Sequence, residues 1–279
     1  KSLYAEVGKE VLYQVGKRVL ELYTEKFREQ LSTTEGIRGA VYIPYPRSLI
    51  ISEFFELLSK STNIFDRMFG MSIAVSLRNF SELYERILLN SFNNEVYKLI
   101  KPLIPGEVIQ TTDKNLIYVE EGRQIPWKFV SGSIIELMSL PMLIRPNEII
   151  FYEEPETQLY EKSQVVMALI LYSLLNTNKI VVTTHSQTIL YTLSYITIAK
   201  PSANDVKELL ESLGIKGGEE LAKAVESANS KTVRFYFFHD GRIEEVNADK
   251  MVEGIPDVVD IMHKEFEWLS KLYWRKRVG

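Results

Sequence analysis

The spacing of hydrophobic residues changes along this chain of 279 residues, and its first part is helical in character. Over residues 3–30, apolar side chains recur every three to four positions with charged residues between them, which predicts an amphipathic helix. Residues 48–100 show the same spacing, and we interpret them as a helical insertion that packs on its own apolar face. Between the two, residues 39–44 form a short apolar run that predicts a buried strand.

From residue 131 onward, helical and strand-like patterns alternate strictly. Strands that alternate with helices pair in parallel through right-handed crossovers. The sequence therefore predicts an α/β fold in which a mostly parallel sheet is flanked by helices, with a βαβαβ core at residues 131–199. The predicted elements of this core are a helix at 131–143, a strand at 148–153, a helix at 157–175, a strand at 179–184, a short helix from 187 and a β-rich segment at 195–199.

Two further stretches predict β-hairpins, and helices account for most of residues 200–279. The paired strand patterns lie at 107–110 with 115–120, and at 233–238 with 242–246, where the second pair is joined through an Asp-Gly turn. Residues 203–228 predict two polar helices outside the core, and residues 257–274 predict a closing helix. No internal repeat is visible, so we interpret residues 1–279 as a single domain.

The composition excludes several kinds of functional site. Because the chain has no cysteine and only three histidines, which are well separated, disulfides and thiolate chemistry are ruled out and a histidine-rich metal centre is not expected. The formal net charge of −4 gives no general attraction to nucleic acid or anionic lipid, although it leaves room for a local basic patch. No apolar run reaches transmembrane length and no secretory leader is visible, so we expect a cytoplasmic protein.

Charged and reactive side chains follow two of the predicted strands. The apolar run Ile149-Ile150-Phe151-Tyr152 leads into Glu153 and Glu154, and the next strand ends in Thr183-Thr184-His185-Ser186. Ligands bind at the carboxyl ends of the strands in open α/β sheets, so the two ends predict one site. One carboxylate can hold a hydrated Mg²⁺ while its neighbour orients a water for attack on a phosphate. The alternatives are that the glutamates cap the following helix and that His185 is a structural histidine.

Three segments also follow one another in the order and spacing of a known family. Glu153-Glu154-Pro155-Glu156-Thr157-Gln158-Leu159-Tyr160 is similar to a Walker B run, Val130-Ser131-Gly132-Ser133-Ile134-Ile135-Glu136-Leu137 to a degenerate ABC signature, and Val181-Val182-Thr183-Thr184-His185-Ser186 to a histidine switch. With this ordered set, the chain resembles the ABC-like branch of the AAA-type ATPases, which includes the SMC, DNA-repair and OLD (overcoming lysogenisation defect) ATPases. The resemblance implies a P-loop NTPase fold.

The resemblance also implies a role for each matching residue. Glu153 would coordinate Mg²⁺ through water, and Glu154 would be the catalytic carboxylate that polarises the attacking water. His185 would sense the γ-phosphate and stabilise its charge. Ser131 and Gly132, at the start of a helix, would donate to the γ-phosphate of an ATP held by a partner subunit, although an ordinary helix cap is the alternative there. In such families two heads enclose ATP, so the resemblance implies a nucleotide-dependent homodimer.

The chain departs from the family pattern at several positions. Glu153 stands where many relatives have Asp, and Tyr160-Glu161 replaces the common His-Pro. The chain contains no Gly-x-x-x-x-Gly-Lys-[Ser/Thr] loop, which cradles the phosphates. The sequence opens at Lys1-Ser2 instead of Met, as a fragment or a processed product does. Lys1 and Ser2, followed by a helix, fit the tail of such a loop and are therefore candidate phosphate-binding residues.

The leading hypothesis from the sequence is ATP binding and Mg²⁺-dependent hydrolysis at a head-to-head dimer interface, which drives a conformational cycle. Two alternatives stay open. A degenerate head would bind nucleotide and dimerise without turnover. The lack of a phosphate loop favours it if the chain is complete, whereas Glu154 and His185 favour the enzyme. The ATPase part of an OLD-like defence or repair nuclease would require a further acidic domain, and residues 200–279 show no obvious cluster of that kind.

Overall fold

The computed structural model describes residues 37–43, 94–110, 116–239, 242–253 and 267–268. The predicted helices at 3–30 and 257–274 lie outside these residues, apart from residues 267 and 268, which are helical. Of the predicted insertion, residues 94–100 are helical, as expected, and residues 48–93 lie outside the described part of the chain.

The described strands and helices are numbered here in chain order. They are β1 (Gly39–Ile43), α1 (Asn94–Ile100), β2 (Glu107–Gln110), β3 (Leu116–Glu120), β4 (Arg123–Pro126), α2 (Gly132–Leu143), β5 (Glu148–Glu153), α3 (Glu161–Leu174), β6 (Lys179–Thr183), α4 (Gln187–Ala199), α5 (Ala203–Ser212), α6 (Glu219–Ser227), β7 (Phe235–His239), β8 (Arg242–Val246) and α7 (Ala248–Glu253). Across these residues, no helix combines the length and the hydropathy that crossing a bilayer requires.

Strands β1, β5 and β6 form a three-stranded parallel sheet in the order β1-β5-β6. Helix α3 lies in the connection from β5 to β6, as a parallel pair of strands requires. The side-chain amide of Asn178 joins the segments that lead into β5 and β6. Its Nδ2 atom donates to the carbonyls of Arg145 at 2.6 Å and Glu148 at 3.3 Å. The prediction of an α/β fold with a parallel sheet flanked by helices is confirmed.

One face of the parallel sheet is part of the hydrophobic core. Val41, Ile43, Ile150 and Tyr152 are buried there in a cluster that also contains side chains of α2 and α3. Residues 166–174 of α3 are all buried, because this helix packs against both α4 and α6. Successive side chains of a strand point to opposite faces, so the residues between the buried ones lie on the other face of the sheet.

The two antiparallel units agree with the predicted hairpins and add one strand. β7 and β8 pair as expected, and β2 pairs with β3. β4 then joins β3 through a two-residue turn in which Glu121 and Gly122 have φ values of 48° and 76°. Positive φ at both central residues is typical of the type I′ hairpin turn. β4 was not predicted from the sequence, although the Glu-Gly pair between strand-like residues was the available signal.

The prediction of a β-rich segment at residues 195–199 is wrong, because α4 continues to Ala199. Tyr195, Ile196 and Ile198 have side chains that are common in strands, which suggested the β assignment. In the structure Ile189 and Ile196, seven residues apart, are both buried on one side of the helix. Packing at helical spacing therefore outweighs the local preference of these residues for extended backbone.

Two smaller predictions also need correction. α3 begins at Glu161 instead of residue 157, because residues 155–158 form turns in which Gln158 adopts a φ of 58°. Helices α5 and α6 do not lie outside the core as expected. Their apolar sides are buried in the main cluster through Val206, Leu210, Leu221 and Val225.

Candidate functional site

Strands β5 and β6 end side by side and bring their polar residues to one edge of the sheet. Glu153 pairs with Thr183 in register, and the amide of Glu154 donates to the carbonyl of Thr183 at 2.8 Å. Glu154 has a φ of 42°, in the left-handed region that costs an L-residue roughly 1–2 kcal/mol. Residues held in such conformations cluster at functional sites. The chain thus turns sharply where Glu154 leaves the sheet.

Glu154 and His185 lie next to each other at this edge. The Nε2 atom of His185 is 3.8 Å from Oε1 of Glu154, which is within ion-pair range when the imidazole is protonated. The side chain of His185 is 91% exposed and that of Glu154 is 34% exposed, so both can be reached from solvent. The proximity expected for these two side chains is therefore observed, and an incoming ligand would meet both.

Glu156, in the turn after β5, accepts hydrogen bonds from the loop after β6. No role was predicted for it from the sequence. Its Oε1 atom accepts hydrogen bonds from the backbone amides of His185 at 2.7 Å and Ser186 at 3.1 Å. Its Oε2 atom accepts one from the hydroxyl of Thr184 at 2.7 Å. Both carboxylate oxygens thus hold the loop that follows β6. The sequence signal for Glu156 was its place as one of three glutamates within four residues at a strand end.

Ser186 and Gln164 fix the start of α4. The Ser186 hydroxyl oxygen accepts from the amide of Ile189 at 3.1 Å, which is an N-cap bond. The same hydroxyl donates to Oε1 of Gln164 at 2.6 Å, and Nε2 of Gln164 donates to the carbonyl of Leu159 at 2.9 Å. The first turns of α3 and α4 are therefore joined directly beside the loop that carries His185.

Ser131 and Gly132 lie against the turn that follows Glu154. Ser131 is exposed at the N-cap position of α2, where its side chain makes no cap hydrogen bond. The side chain of Gln158 lies directly over Gly132, in the space that a Cβ atom would occupy. Ser133 donates through its hydroxyl to the carbonyl of Gln158 at 2.7 Å. The start of α2 is thus joined to the segment that carries the three glutamates.

Tyr42 of β1 contacts Glu153, a neighbour that the sequence did not reveal. Tyr42 lies opposite Phe151 in the sheet, so Glu153 is two residues further along the same face. Partial burial of the ring, together with the hydrogen bond from its hydroxyl to the Glu153 carboxylate and the charge of that carboxylate, raises the pKa of Tyr42 to about 12. Tyr42 therefore orients Glu153 as a protonated donor at neutral pH.

The oxygen chemistry at this edge fits a hydrated magnesium ion. Mg²⁺ binds through one or two carboxylates and completes its shell with waters and substrate phosphates. Glu153 supplies one carboxylate at the strand end, beside Thr183. Within the described residues, no group of three or more His, Asp or Glu side chains is placed to hold a metal ion.

The remaining predicted site residues, Lys1 and Ser2, lie outside the described residues. The structure brings Glu153, Glu154 and His185 to one edge and places Ser131 and Gly132 against the adjoining turn. It adds Tyr42, Glu156 and Gln158 as their direct neighbours. These additions come from contacts between segments far apart in the sequence, which local patterns do not report.

The raised pKa of Tyr42 predicts how stability depends on alkaline pH. The folded-state pKa of about 12 lies above the ordinary value of 10.0, so the contribution of protonated Tyr42 is complete below about pH 10 and is lost as the pH rises towards 12. A Tyr42→Phe variant cannot ionise here and should lose less stability than the wild type across this window. Urea unfolding between about pH 9 and 11.5 measures the difference.

The control for this measurement is Tyr160→Phe, which removes a hydroxyl from an exposed tyrosine. The comparison isolates Tyr42 because the other tyrosines with a raised pKa in the described part of the chain, Tyr118 and Tyr172, are unchanged in both variants. Equal losses of stability in wild type and Tyr42→Phe would contradict the raised pKa of Tyr42.

A comparison with protein families gives a match that covers the ends of β5 and β6. Residues 135–190 match the model of a family described as the AAA ATPase domain. The match contains β5, α3 and β6, and with them Glu153, Glu154 and His185. No curated protein matches the chain. An AAA ATPase domain implies nucleotide binding and an ATPase as the class of activity, and the parallel sheet agrees with it. Residues 135–190 are thus similar to the AAA ATPase domain, and this similarity includes the ends of β5 and β6.

Proposed function

We propose that this chain is the ATP-hydrolysing head of an ABC-like ATPase, with Glu154 as the catalytic carboxylate and His185 as its partner at the γ-phosphate. The observation that carries the proposal is the proximity of these two side chains, with 3.8 Å between His185 Nε2 and Glu154 Oε1 at the carboxyl edge of the sheet. Open α/β sheets bind their ligands at this edge.

Glu154 is suited to orient and polarise an attacking water. Its backbone is fixed by the hydrogen bond from its amide to Thr183 at 2.8 Å and by the amide of Thr157, which donates to its carbonyl at 3.0 Å. Its side chain remains 34% exposed, so a water molecule can reach the carboxylate. A carboxylate accepts a hydrogen bond from this water and turns its lone pair towards the phosphorus.

His185 is suited to stabilise the charge that develops on the transferred group. Its imidazole lies beside the Glu154 carboxylate and is 91% exposed, so it can donate a hydrogen bond to a phosphate oxygen without a rearrangement of the core. A donor that is already in position when charge develops lowers the barrier, because little reorganisation is required.

Glu153 is proposed to hold Mg²⁺ through a bound water. When bound, the ion would supply positive charge to the β- and γ-phosphate oxygens. Tyr42 donates to the Glu153 carboxylate, which limits how the side chain can rotate. Because Glu is one methylene longer than Asp, this restraint keeps the carboxylate near the sheet edge.

We also propose that ATP joins two copies of the chain, with Ser131 and Gly132 facing the nucleotide on the partner. The first amides of a helix have no partner within the helix, and the N-terminus carries a partial positive charge that favours phosphate. Ser131 supports this arrangement because it is exposed and its hydroxyl makes no cap hydrogen bond.

A Ser131→Asp substitution tests the contact with the partner's nucleotide. Aspartate is as good an N-cap as serine and its charge favours a helix N-terminus, so the fold should be unchanged or slightly more stable. The same charge would repel a γ-phosphate, so we expect at least a tenfold loss in ATP-dependent dimerisation, a cost of about 1.4 kcal/mol or more. Size-exclusion chromatography with and without ATP measures this change.

Ser131→Asn is the matched control, because asparagine caps helices equally well without the charge. It should retain most of the dimer. If Ser131→Asp dimerises as well as the wild type, the start of α2 does not face a phosphate.

The central test of the proposal is the rate of phosphate release by the natural full-length protein, compared with that of a Glu154→Gln variant. Mg²⁺-dependent release that is lost in the variant supports the proposal. Wild-type protein that binds ATP and releases no phosphate would instead favour a head that binds nucleotide and dimerises without turnover.

A further inference from the structure

Glu156 makes three hydrogen bonds to the loop after β6, across a separation of 28 to 30 residues in the sequence. Two of them come from consecutive backbone amides, those of His185 at 2.7 Å and Ser186 at 3.1 Å. The third comes from the hydroxyl of Thr184 at 2.7 Å. Hydrogen bonds to an ionised acceptor are stronger than neutral ones, so the carboxylate is a firm anchor for this loop.

The backbone around Glu156 is itself fixed. The amide of Thr157 donates to the carbonyl of Glu154 at 3.0 Å, which closes a four-residue turn with Pro155 at its second position, where proline is favoured. The amide of Leu159 donates to the carbonyl of Glu156 at 2.9 Å. The turn therefore joins Glu154, which faces His185, to Glu156, which holds the backbone of His185.

The Glu156 carboxylate holds the backbone from which the His185 imidazole extends. Because 91% of the side chain is exposed, packing restrains it little. Helix α4 does not need Glu156 for its cap, since the Ser186 hydroxyl already accepts from the amide of Ile189 at 3.1 Å. Glu156 is thus not required as the cap of this helix. Its hydrogen bond from the His185 amide instead holds the residue whose side chain faces Glu154.

We propose that Glu156 is a positioning residue that acts through His185: it holds the loop so that the imidazole stays beside the Glu154 carboxylate. This inference rests on the proposed ATPase function and adds to the same site a residue that positions His185. Any movement of the turn at 154–157 is transmitted to His185 through the carboxylate, so the catalytic carboxylate and the imidazole move together.

The test compares Glu156→Ala with Glu156→Gln in the natural full-length protein. Alanine removes all three hydrogen bonds. We expect kcat for ATP to fall about 10- to 100-fold, because misplacement of a reacting group by about 1 Å can lower the rate about 100-fold. KM should change little. Glutamine should restore most of the rate. Its carbonyl oxygen can accept from both amides, and its amide nitrogen can donate to the Thr184 hydroxyl, which has a spare acceptor position.

The decisive comparison uses a His185→Ala background. If Glu156 acts through the imidazole, adding Glu156→Ala to His185→Ala should slow hydrolysis less than about twofold further, because coupled residues are not additive. Independent, multiplicative losses would overturn the inference and show that Glu156 only supports the fold. Glu226→Ala, at an exposed glutamate of α6, is the control and should leave the rate unchanged.

Amide hydrogen exchange gives a readout that does not depend on activity. In Glu156→Ala, the amide of His185 should exchange at least about tenfold faster than in wild type, and Glu156→Gln should keep its protection. The amide of Ser186 should change less, because it also donates to the Thr184 hydroxyl at 3.0 Å. Unchanged protection in Glu156→Ala would refute the anchor whatever the ATPase result. Faster exchange in a protein without any ATPase activity would instead keep the hydrogen bonds of Glu156 and reject the proposed function, together with the positioning role of Glu156.

Discussion

A Glu154→Gln variant is expected to hydrolyse ATP at least about 100-fold more slowly than the wild type while it still binds ATP. Glutamine has nearly the same size and keeps a hydrogen-bond acceptor, but it has no negative charge to polarise a water. The hydrogen bonds that fix the backbone of Glu154 to Thr183 and Thr157 do not involve the side chain and should persist. The variant should therefore form the ATP-dependent dimer and keep it for longer.

Two measurements check this expectation: the rate of phosphate release and the dimer fraction in ATP. Glu161→Gln is the matched control, since it neutralises an exposed glutamate in the first turn of α3 and should leave turnover unchanged. Equal rates for Glu154→Gln and wild type would remove Glu154 from the catalytic role. A variant that fails to bind ATP would show that Glu154 supports nucleotide binding instead of the chemical step.

The second large effect is expected for His185→Ala, which should lower kcat about 10- to 1000-fold, because removal of a donor positioned at developing charge lowers kcat by factors of this order. The fold should remain intact. The side chain is 91% exposed, so its removal creates no cavity, and the free energy of unfolding should change by less than about 0.5 kcal/mol. The amide of His185 keeps its bond to Glu156 in the variant.

Steady-state hydrolysis and urea unfolding measure the two parts of this prediction. His239→Ala, which removes an imidazole from β7, is the control and should retain full activity. A large fall in stability with His185→Ala would favour the structural-histidine alternative. Full activity in the same variant would remove the imidazole from the reaction.

Much of the fold followed from patterns within single segments. The apolar run at Ile149–Tyr152 and the alternation of helical and strand-like stretches predicted β5, β6 and their parallel pairing. The error at residues 195–199 has the same local origin, because the side chains there are typical of strands while the buried pair Ile189 and Ile196 requires a helix. A short segment reports its own preferences, and the core around it can outweigh them.

Only the site residues that directly follow β5 and β6 could be predicted from the sequence. Parallel strands must finish at one edge, so the sequence alone determined that Glu153, Glu154 and His185 belong together. It carried no sign that Tyr42 contacts Glu153, or that Gln158 covers Gly132. Both contacts join segments separated by many residues, and their geometry depends on sheet register and on the left-handed backbone at Glu154 and Gln158.

The sequence by itself therefore determined most of the order of helices and strands, the parallel sheet and the kinds of side chain at its edge, because the spacing of apolar residues is a local property of each segment. Only the tertiary structure decided which atoms hold the His185 loop, since three donors from one loop reach the Glu156 carboxylate only after the two strands have paired. Hydrogen bonds require distances near 3 Å, and the chain achieves such distances between remote residues through packing alone.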